Sequence, residues 1–158
     1  MARLNHTSLV KYASQHMKPR PRSLSTRTLV QASDPDMEIP TKDQLISIVD
    51  AIRPRMPNGS EYTQNGKFDC DDFAFSFKGL VTQWYQENRP NDLPFAIGIG
   101  WGQFSSFSPD EYHALNWVFL ADDRKLYWIE PQMIASDPLD RAMSQFSKTG
   151  DRVNLLIV

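Results

Sequence analysis

The single cysteine of the sequence, Cys70, lies where a thiol can act as a nucleophile. Asp69 precedes it and an apolar stripe at helical spacing follows it, so we predict that Asp69 caps a helix whose first turn contains Cys70. The backbone N–H groups and the dipole at this end of a helix favour a thiolate and are placed to receive an oxyanion. A lone cysteine is also often a small buried apolar residue, and that alternative stays open.

A thiolate mechanism also needs a base, and the sequence contains three histidines. His6 and His16 lie in a basic N-terminal segment, which leaves His113 as the candidate in the body of the chain. A single histidine on a strand is commonly structural or simply exposed to solvent. The pair of Cys70 and His113 therefore suggests a catalytic site without specifying one.

The geometry of a hairpin supplies a third member of the site. Apolar runs on both sides of Asp122-Asp123 predict two antiparallel strands, and a two-residue loop makes paired positions sum to about 245. His113 then faces Gln132, and Glu130 is a diagonal neighbour of His113 on the same face, whereas Asn116 points to the opposite face. A four-residue loop keeps this parity. The predicted triad is Cys, His, carboxylate, with Glu130 orienting the imidazole.

Two acidic residues directly after the cysteine complicate this prediction. Asp71 and Asp72 place like charge beside the sulfur and oppose a thiolate. A bound divalent cation would cancel that field, and carboxylates with the amide oxygen of Gln132 are suitable hard ligands, to which Glu130 could add another carboxylate. The hypothesis is a thiol switched on by Ca²⁺ or Mn²⁺. The alternative is that Asp71 and Asp72 are only favourable acids in the first turn of a helix.

The elements that must position these groups come in an α+β order, with helices first and antiparallel strands later. A capping-box pattern at Thr41–Gln44 opens a helix, and its apolar positions are Leu45, Ile48, Val49 and Ile52. The helix that begins at Cys70 has its apolar stripe at Phe73, Phe77, Leu80, Val81 and Trp84. Strands are predicted over 95–99, 113–120, 125–130 and 153–158, with a short helix from Asp137-Pro138 to Phe146.

Composition excludes several classes of protein. A chain of 158 residues suits one domain, and a net charge of -2 argues against a nucleic-acid binder that works through bulk charge. One cysteine allows no intrachain disulfide framework. The longest apolar runs fall well short of the roughly 18 residues that span a membrane.

The charge divides the chain into a leader, 1–35, and a body, 36–158. Residues 1–33 contain six basic residues and no acid, namely Arg3, Lys11, Lys18, Arg20, Arg22 and Arg27. This composition predicts a flexible basic arm, which docking on the acidic body could order, or an organelle transit segment. An apolar core of a Sec-type signal peptide is missing from it, and a cytoplasmic location is favoured.

Two segments of the hairpin carry a family resemblance. The residues His113–Leu120 and Tyr127–Gln132 resemble the papain-like and transglutaminase-like core, in which a histidine strand and an acid-Pro strand are adjacent. The closer similarity is to the C-terminal cysteine-protease domain of Marasmius oreades agglutinin, a fungal chimerolectin, where two aspartates also follow the nucleophile. The resemblance covers residues 36–158 and implies an α+β, papain-like fold with N-terminal helices and an antiparallel sheet.

The resemblance implies a divalent-cation-dependent cysteine protease that acts on protein or peptide substrates and forms a homodimer. The roles that it implies are Cys70 as nucleophile, His113 as general base, Glu130 as orienter, and Asp71, Asp72 and Gln132 around a Ca²⁺ or Mn²⁺ ion. The carbohydrate-binding β-trefoil of the agglutinin is not expected here. Two alternatives remain, namely a transglutaminase-like acyltransferase and a non-catalytic binding module on the same scaffold.

Two further residues are candidates for the substrate cleft. Gln64 has the spacing from Cys70 at which papain-like enzymes carry an oxyanion-hole glutamine, although it also suits a turn. Trp101 lies in a glycine-rich run, 98–102, which we interpret as a flexible groove wall with Trp101 as a platform for substrate. Trp117 and Trp128 are expected to lie in the core because both fall on predicted strands.

Overall fold

A computed structural model describes residues 2–19, 27–32, 34–62, 68–89 and 92–158 of the chain. In chain order, its helices and strands are β1 (Arg3–Asn5), α1 (His6–His16), β2 (Leu29–Gln31), β3 (Asp36–Glu38), α2 (Lys42–Ile52), α3 (Cys70–Asn88), β4 (Ile97–Gln103), β5 (His113–Phe119), β6 (Leu126–Ile129), α4 (Leu139–Ala142), β7 (Met143–Gln145) and β8 (Arg152–Ile157). Short 3₁₀ helices lie at Arg53–Arg55, Gly59–Glu61 and Pro131–Met133. Among these residues, every helix is too short or too polar to cross a membrane.

A six-stranded sheet organises the fold, in the strand order β2-β8-β4-β5-β6-β7. Neighbouring strands are antiparallel except β2 and β8, which are parallel. The sheet is therefore mixed, and the prediction of an antiparallel sheet is wrong at this edge. Since most of the chain separates β2 from β8, their pairing does not depend on a tight turn and can be parallel.

Helices cover both faces of the sheet. On one face, Leu9 and Ala13 of α1 share a core cluster with Leu115 and Trp117 of β5. On the other face, the apolar stripes of α2 and α3 pack with Val118 of β5. Successive side chains of a strand point to opposite faces, so β5, which is buried along its whole length, contributes to both clusters. The observed fold is thus a mixed arrangement of helices around one sheet.

The described part of the N-terminal segment belongs to this core. α1 begins at Asn5, whose side chain accepts a hydrogen bond from the Ser8 N–H at 2.8 Å. Leu9 and Ala13 lie four positions apart on its inner face and are fully buried. These residues are therefore ordered by packing on the body, as the docked form of the predicted arm would be.

Both predicted helix caps are present. Thr41 and Gln44 form a reciprocal capping box at the start of α2, with hydrogen bonds of 2.9 and 3.2 Å. Asp69 caps α3, which begins at Cys70. Each cap satisfies N–H groups that the helix itself leaves without partners, and so fixes the residue at which the helix starts.

The hairpin of β5 and β6 has the predicted register. Asn116 pairs with Ile129 and Trp117 with Trp128. Its loop contains four residues rather than two, since the Leu120 N–H donates to the Lys125 carbonyl oxygen at 3.1 Å and closes residues 121–124. A loop lengthened by an even number of residues leaves the facing pairs unchanged.

Two other predictions are corrected. The helix expected from Asp137 to Phe146 is limited to α4, because the next three residues pair with β6 as β7. The glycine-rich run is not a flexible wall but part of β4, between β5 and β8. A Cβ atom on Gly98 would lie 1.9 Å from the Ile157 carbonyl oxygen, so glycine is needed there for the close approach of two strands.

Candidate active site

The N-terminus of α3 presents Cys70. The side chain of Asp69 accepts a hydrogen bond from the Asp71 N–H at 3.3 Å, and Asp72 Oδ2 accepts one from the Asp69 N–H at 3.0 Å. Within the described parts of the chain, the Cys70 N–H has no acceptor. This N–H is therefore available to an oxyanion that forms beside the sulfur. The side chain of Cys70 is partly buried.

His113 and Glu130 are in direct contact across the hairpin. His113 Nε2 and Glu130 Oε2 are 2.6 Å apart, and both side chains are buried. Glu130 Oε1 also accepts a hydrogen bond from the Gln132 N–H at 3.2 Å, where the chain enters the 3₁₀ helix after β6. The carboxylate is thus held through both oxygens and fixes the orientation of the imidazole ring.

The imidazole also interacts with the cysteine. Burial lowers the pKa of His113, but hydrogen bonds to Cys70 and Glu130 and the charges of these two groups outweigh it and raise the pKa to about 9. Since Nε2 is engaged by Glu130, Nδ1 is the ring nitrogen that remains for the sulfur. At neutral pH the site therefore favours an imidazolium between the sulfur and the carboxylate.

The acidic residues beside the sulfur are crowded together. Asp69, Cys70 and Asp71 each offer a ligand atom, and these atoms lie within 4.8 Å of one another. A side-chain hydrogen bond with Asp69, burial and the charge of Asp69 raise the pKa of Asp71. One oxygen of Asp72, Oδ2, accepts the hydrogen bond at the helix cap. This crowding of carboxyl groups fits a hard divalent cation, with Asp69 as a member that the sequence had indicated only as a cap.

Three predicted site residues remain to be located, namely Gln132, Gln64 and Trp101. The main chain of Gln132 lies close to the 3₁₀ helix of residues 59–61, since a Cβ atom on Gly59 would be 2.9 Å from the Gln132 carbonyl oxygen. Gln64 lies outside the described residues. Trp101 is partly buried and packs, as Cys70 does, against the cluster of Ala74, Ile99 and Ala114.

Asn116 links the sheet to α3 and was not assigned a role from the sequence. It is fully buried on β5, and its Nδ2 donates to the carbonyl oxygens of Ala74 at 3.0 Å and Gly98 at 3.2 Å. It therefore joins the second turn of α3 to β5 and β4, near the residues that carry the site. The signal available in the sequence was a polar residue within an otherwise apolar strand.

The comparison with protein families identifies the family to which the chain belongs. Residues 56–135, half of the chain, match the family model described as Agglutinin C-terminal. The chain belongs to this agglutinin C-terminal family. The matched segment contains all three residues of the predicted triad. No curated protein matched the chain.

Two solved structures have the same fold. The first is a PSL1a–E64 complex, with 23% identity and a TM-score of 0.67 over 99% of this chain. The second is Polyporus squamosus lectin bound to Neu5Aca2-6Galb1-4GlcNAc, with 23% identity and a TM-score of 0.64 over 99% of this chain. The chain spans about half the length of these structures, 51% and 49%. At this identity the likeness establishes the fold of an agglutinin-type domain with a lectin among its structural neighbours.

Proposed function

We propose that this chain is a cysteine peptidase in which Cys70 attacks the carbonyl carbon of a peptide bond. One observation carries the proposal, namely that the buried imidazole of His113 lies 2.6 Å from Glu130 and has a pKa that Cys70 of α3 also raises. A buried imidazole needs a partner for each ring nitrogen, and here the two partners are a thiol and a carboxylate. A nucleophile, a base and an orienting carboxylate in that order are the requirements of thiol catalysis.

The proposed reaction has two stages. In acylation, the sulfur of Cys70 bonds to the carbonyl carbon, the bond to the amine breaks, and His113 gives its proton to the departing nitrogen. In deacylation, His113 takes a proton from the attacking water, the carbonyl–sulfur bond breaks, the carboxylic acid product leaves, and the thiolate and the imidazolium of the resting pair are restored. Glu130 stabilises the imidazolium whenever His113 is protonated, and the Cys70 N–H donates to the oxyanion.

We propose that Ca²⁺, or Mn²⁺, is required for full activity. Asp71 and Asp72 would hold the ion with the amide of Gln132, and Asp69 is close enough to Asp71 to take part. When bound, the ion supplies positive charge that offsets these carboxylates beside the sulfur. The raised pKa of Asp71 supports this requirement because it reflects carboxyl groups crowded together.

The direct test is proteolysis of casein by the whole chain in calcium and in chelator. We expect cleavage by the wild type in calcium, and none by Cys70→Ala or by His113→Gln. Labelling with E64, a thiol-directed epoxide, should add one mass increment to the peptide that contains Cys70. Equal cleavage by wild type and Cys70→Ala would remove Cys70 from the mechanism.

Acyl transfer to an amine, as in a transglutaminase-like enzyme, passes through the same acyl-enzyme. Incubation with a glutamine-containing protein and a labelled primary amine separates the two activities. Incorporation of the amine that depends on Cys70 would indicate transfer, whereas new peptide termini indicate hydrolysis. The proposed dimer is tested separately by light scattering of the full chain.

The second candidate is a non-catalytic binding module, and the comparisons favour it over the first. They give an agglutinin family and, by name, a lectin bound to a sialylated trisaccharide, and none of these names describes a protease. Titration with that trisaccharide tests this candidate. Binding that is the same for wild type and Cys70→Ala, with no hydrolysis of casein, would support the module and exclude the peptidase.

A further inference from the structure

Some of the exposed apolar side chains lie near the proposed nucleophile. Within the described residues, the exposed large apolar side chains are Val10, Leu29, Tyr62, Phe75 and Tyr112. Tyr112 directly precedes His113, and the charges of Cys70 and Asp69 act on the pKa of Tyr62, which burial raises. Apolar side chains exposed together beside a candidate active site indicate a groove that binds a ligand, whereas single exposed apolar residues elsewhere need no explanation.

Phe75 and Trp101 form an aromatic pair at this site. Their ring centroids are 6.0 Å apart, and half of the surface of Phe75 is exposed. Phe75 lies on α3 away from its buried stripe, so packing against the sheet does not explain an aromatic residue at this position. Trp101 faces Ala114 across β4 and β5, one position from the pair of Gly102 and His113.

An apolar row continues from this pair across the sheet. Trp101 pairs with Leu155 of β8, and Leu155 pairs with Leu29 of β2. Paired residues of neighbouring strands project from the same face, so the three side chains form one row on the face that α3 packs against. Trp101 and Leu155 are partly buried, whereas 57% of Leu29 is exposed at the sheet edge.

The length of this row corresponds to a short stretch of extended polypeptide. Neighbouring strands are about 4.8 Å apart, which places Leu29 about 10 Å from Trp101. An extended chain advances about 3.3 Å per residue and points every second side chain to one side, so a side chain two residues farther on, about 6.6 Å away, falls between Leu155 and Leu29. Cys70 and Trp101 contact the same small cluster of Ala74, Ile99 and Ala114, which makes the row continuous with the reactive sulfur.

We propose that this row selects polypeptide substrates that have bulky apolar side chains at two positions on one side of the scissile bond. The inference rests on the peptidase activity proposed above. Phe75 and Trp101 receive the nearer side chain, and Leu155 and Leu29 receive the one two residues farther along, because alternate side chains of an extended chain project to the same side.

Cleavage profiling of a peptide library by mass spectrometry tests this proposal. The full chain in calcium is compared with Phe75→Ala, with Leu29→Ser and with Val10→Ala. Val10 is the matched control, since it is an exposed apolar residue of α1, which packs on the opposite face of the sheet. The rate at which iodoacetamide alkylates Cys70 is measured in each variant to verify that the site is assembled.

We expect wild type and Val10→Ala to cleave next to bulky apolar residues at two positions. Phe75→Ala should lose selectivity at the nearer position by about tenfold, and Leu29→Ser should lose it only at the farther one. Cleavage without apolar preference, or a preference unchanged in both variants, would overturn the specificity row while leaving the peptidase intact. Absence of any cleavage that depends on Cys70 would overturn the peptidase and the row together.

Discussion

Asn116 on β5 donates a hydrogen bond to the Ala74 carbonyl oxygen of α3, and its amide nitrogen is 3.0 Å from that oxygen. The same amide donates to Gly98 of β4 at 3.2 Å, so one fully buried side chain ties three elements together. These elements carry or adjoin Cys70. The side chain therefore contributes both to stability and to the placement of α3 against the sheet.

The isosteric change Asn116→Asp should destabilise the fold strongly. A carboxylate cannot donate to the Ala74 and Gly98 oxygens, and its charge would be buried beside them, so we expect a loss of at least about 3 kcal/mol in the free energy of unfolding. Urea denaturation measures this loss. Asn88→Asp is the matched control, because Asn88 also donates to a carbonyl oxygen but is exposed, and it should cost less than about 1 kcal/mol. Similar losses in the two variants would contradict this account of Asn116.

The contribution of His113 to stability should depend on pH. Its pKa in the folded protein is raised to about 9, above the ordinary value of 6.5, because the hydrogen bonds to Cys70 and Glu130 outweigh the effect of burial. Its stabilisation is therefore fully present below pH 6.5 and is lost as the pH rises through about 9. The difference in unfolding free energy between wild type and His113→Gln should shrink by up to about 3 kcal/mol between pH 6 and pH 10.

Urea unfolding of both proteins across this pH range provides the measurement. Glu130→Gln removes the charge that favours the imidazolium, so the dependence on pH should be weaker in that background. A difference between wild type and His113→Gln that stays constant from pH 6 to pH 10 would mean that His113 does not hold a proton in the way proposed.

Asp151 should be among the most sensitive structural positions. Its side chain is buried and accepts four hydrogen bonds: from the N–H and hydroxyl of Ser105 at 2.8 and 2.7 Å, from Trp128 Nε1 at 2.9 Å and from the Ser147 N–H at 2.7 Å. In Asp151→Asn, an NH₂ group must face two of these donors, so we expect a loss of about 3 kcal/mol.

Tryptophan fluorescence during urea unfolding follows this change, since Trp128 is one of the donors. Asp122→Asn is the comparison, because Asp122 accepts one hydrogen bond, from the Lys42 N–H at 2.7 Å, in an exposed setting. An Asp151→Asn protein as stable as Asp122→Asn would show that the four hydrogen bonds contribute little.

The two aspartates after the cysteine should respond differently to substitution. Asp71 lies with Asp69 beside the sulfur, whereas Asp72 accepts from the Asp69 N–H and closes the helix cap. Asp71→Asn should therefore reduce the calcium dependence of Cys70 alkylation, and Asp72→Asn should in addition lower the stability by about 1 kcal/mol through the cap. Alkylation rates in calcium and in chelator, with urea unfolding, separate these effects. Alkylation indifferent to calcium in the wild type would refute the role of the ion.

The local pattern of residue types in the sequence predicted much of the secondary structure that holds the candidate site. The caps at Thr41 and Asp69 and the register of the β5–β6 hairpin follow from residue type and period alone. The contact between His113 and Glu130 followed from that register, because the side chains of a strand alternate with a period of two whatever the rest of the fold does. The assignment of chemical roles to these residues remains a prediction for the experiments above.

Where the sequence alone was insufficient, the deciding contacts join residues far apart in the chain. The burial of Leu9, the parallel pairing of β2 with β8 and the row from Phe75 to Leu29 depend on which segments become neighbours. The spacing of apolar residues along a segment specifies which of its faces is apolar. It does not specify which other segment packs against that face. Only assembly of the sheet decided this, because burial of apolar surface is non-directional and its partners are selected by the packing of the whole chain.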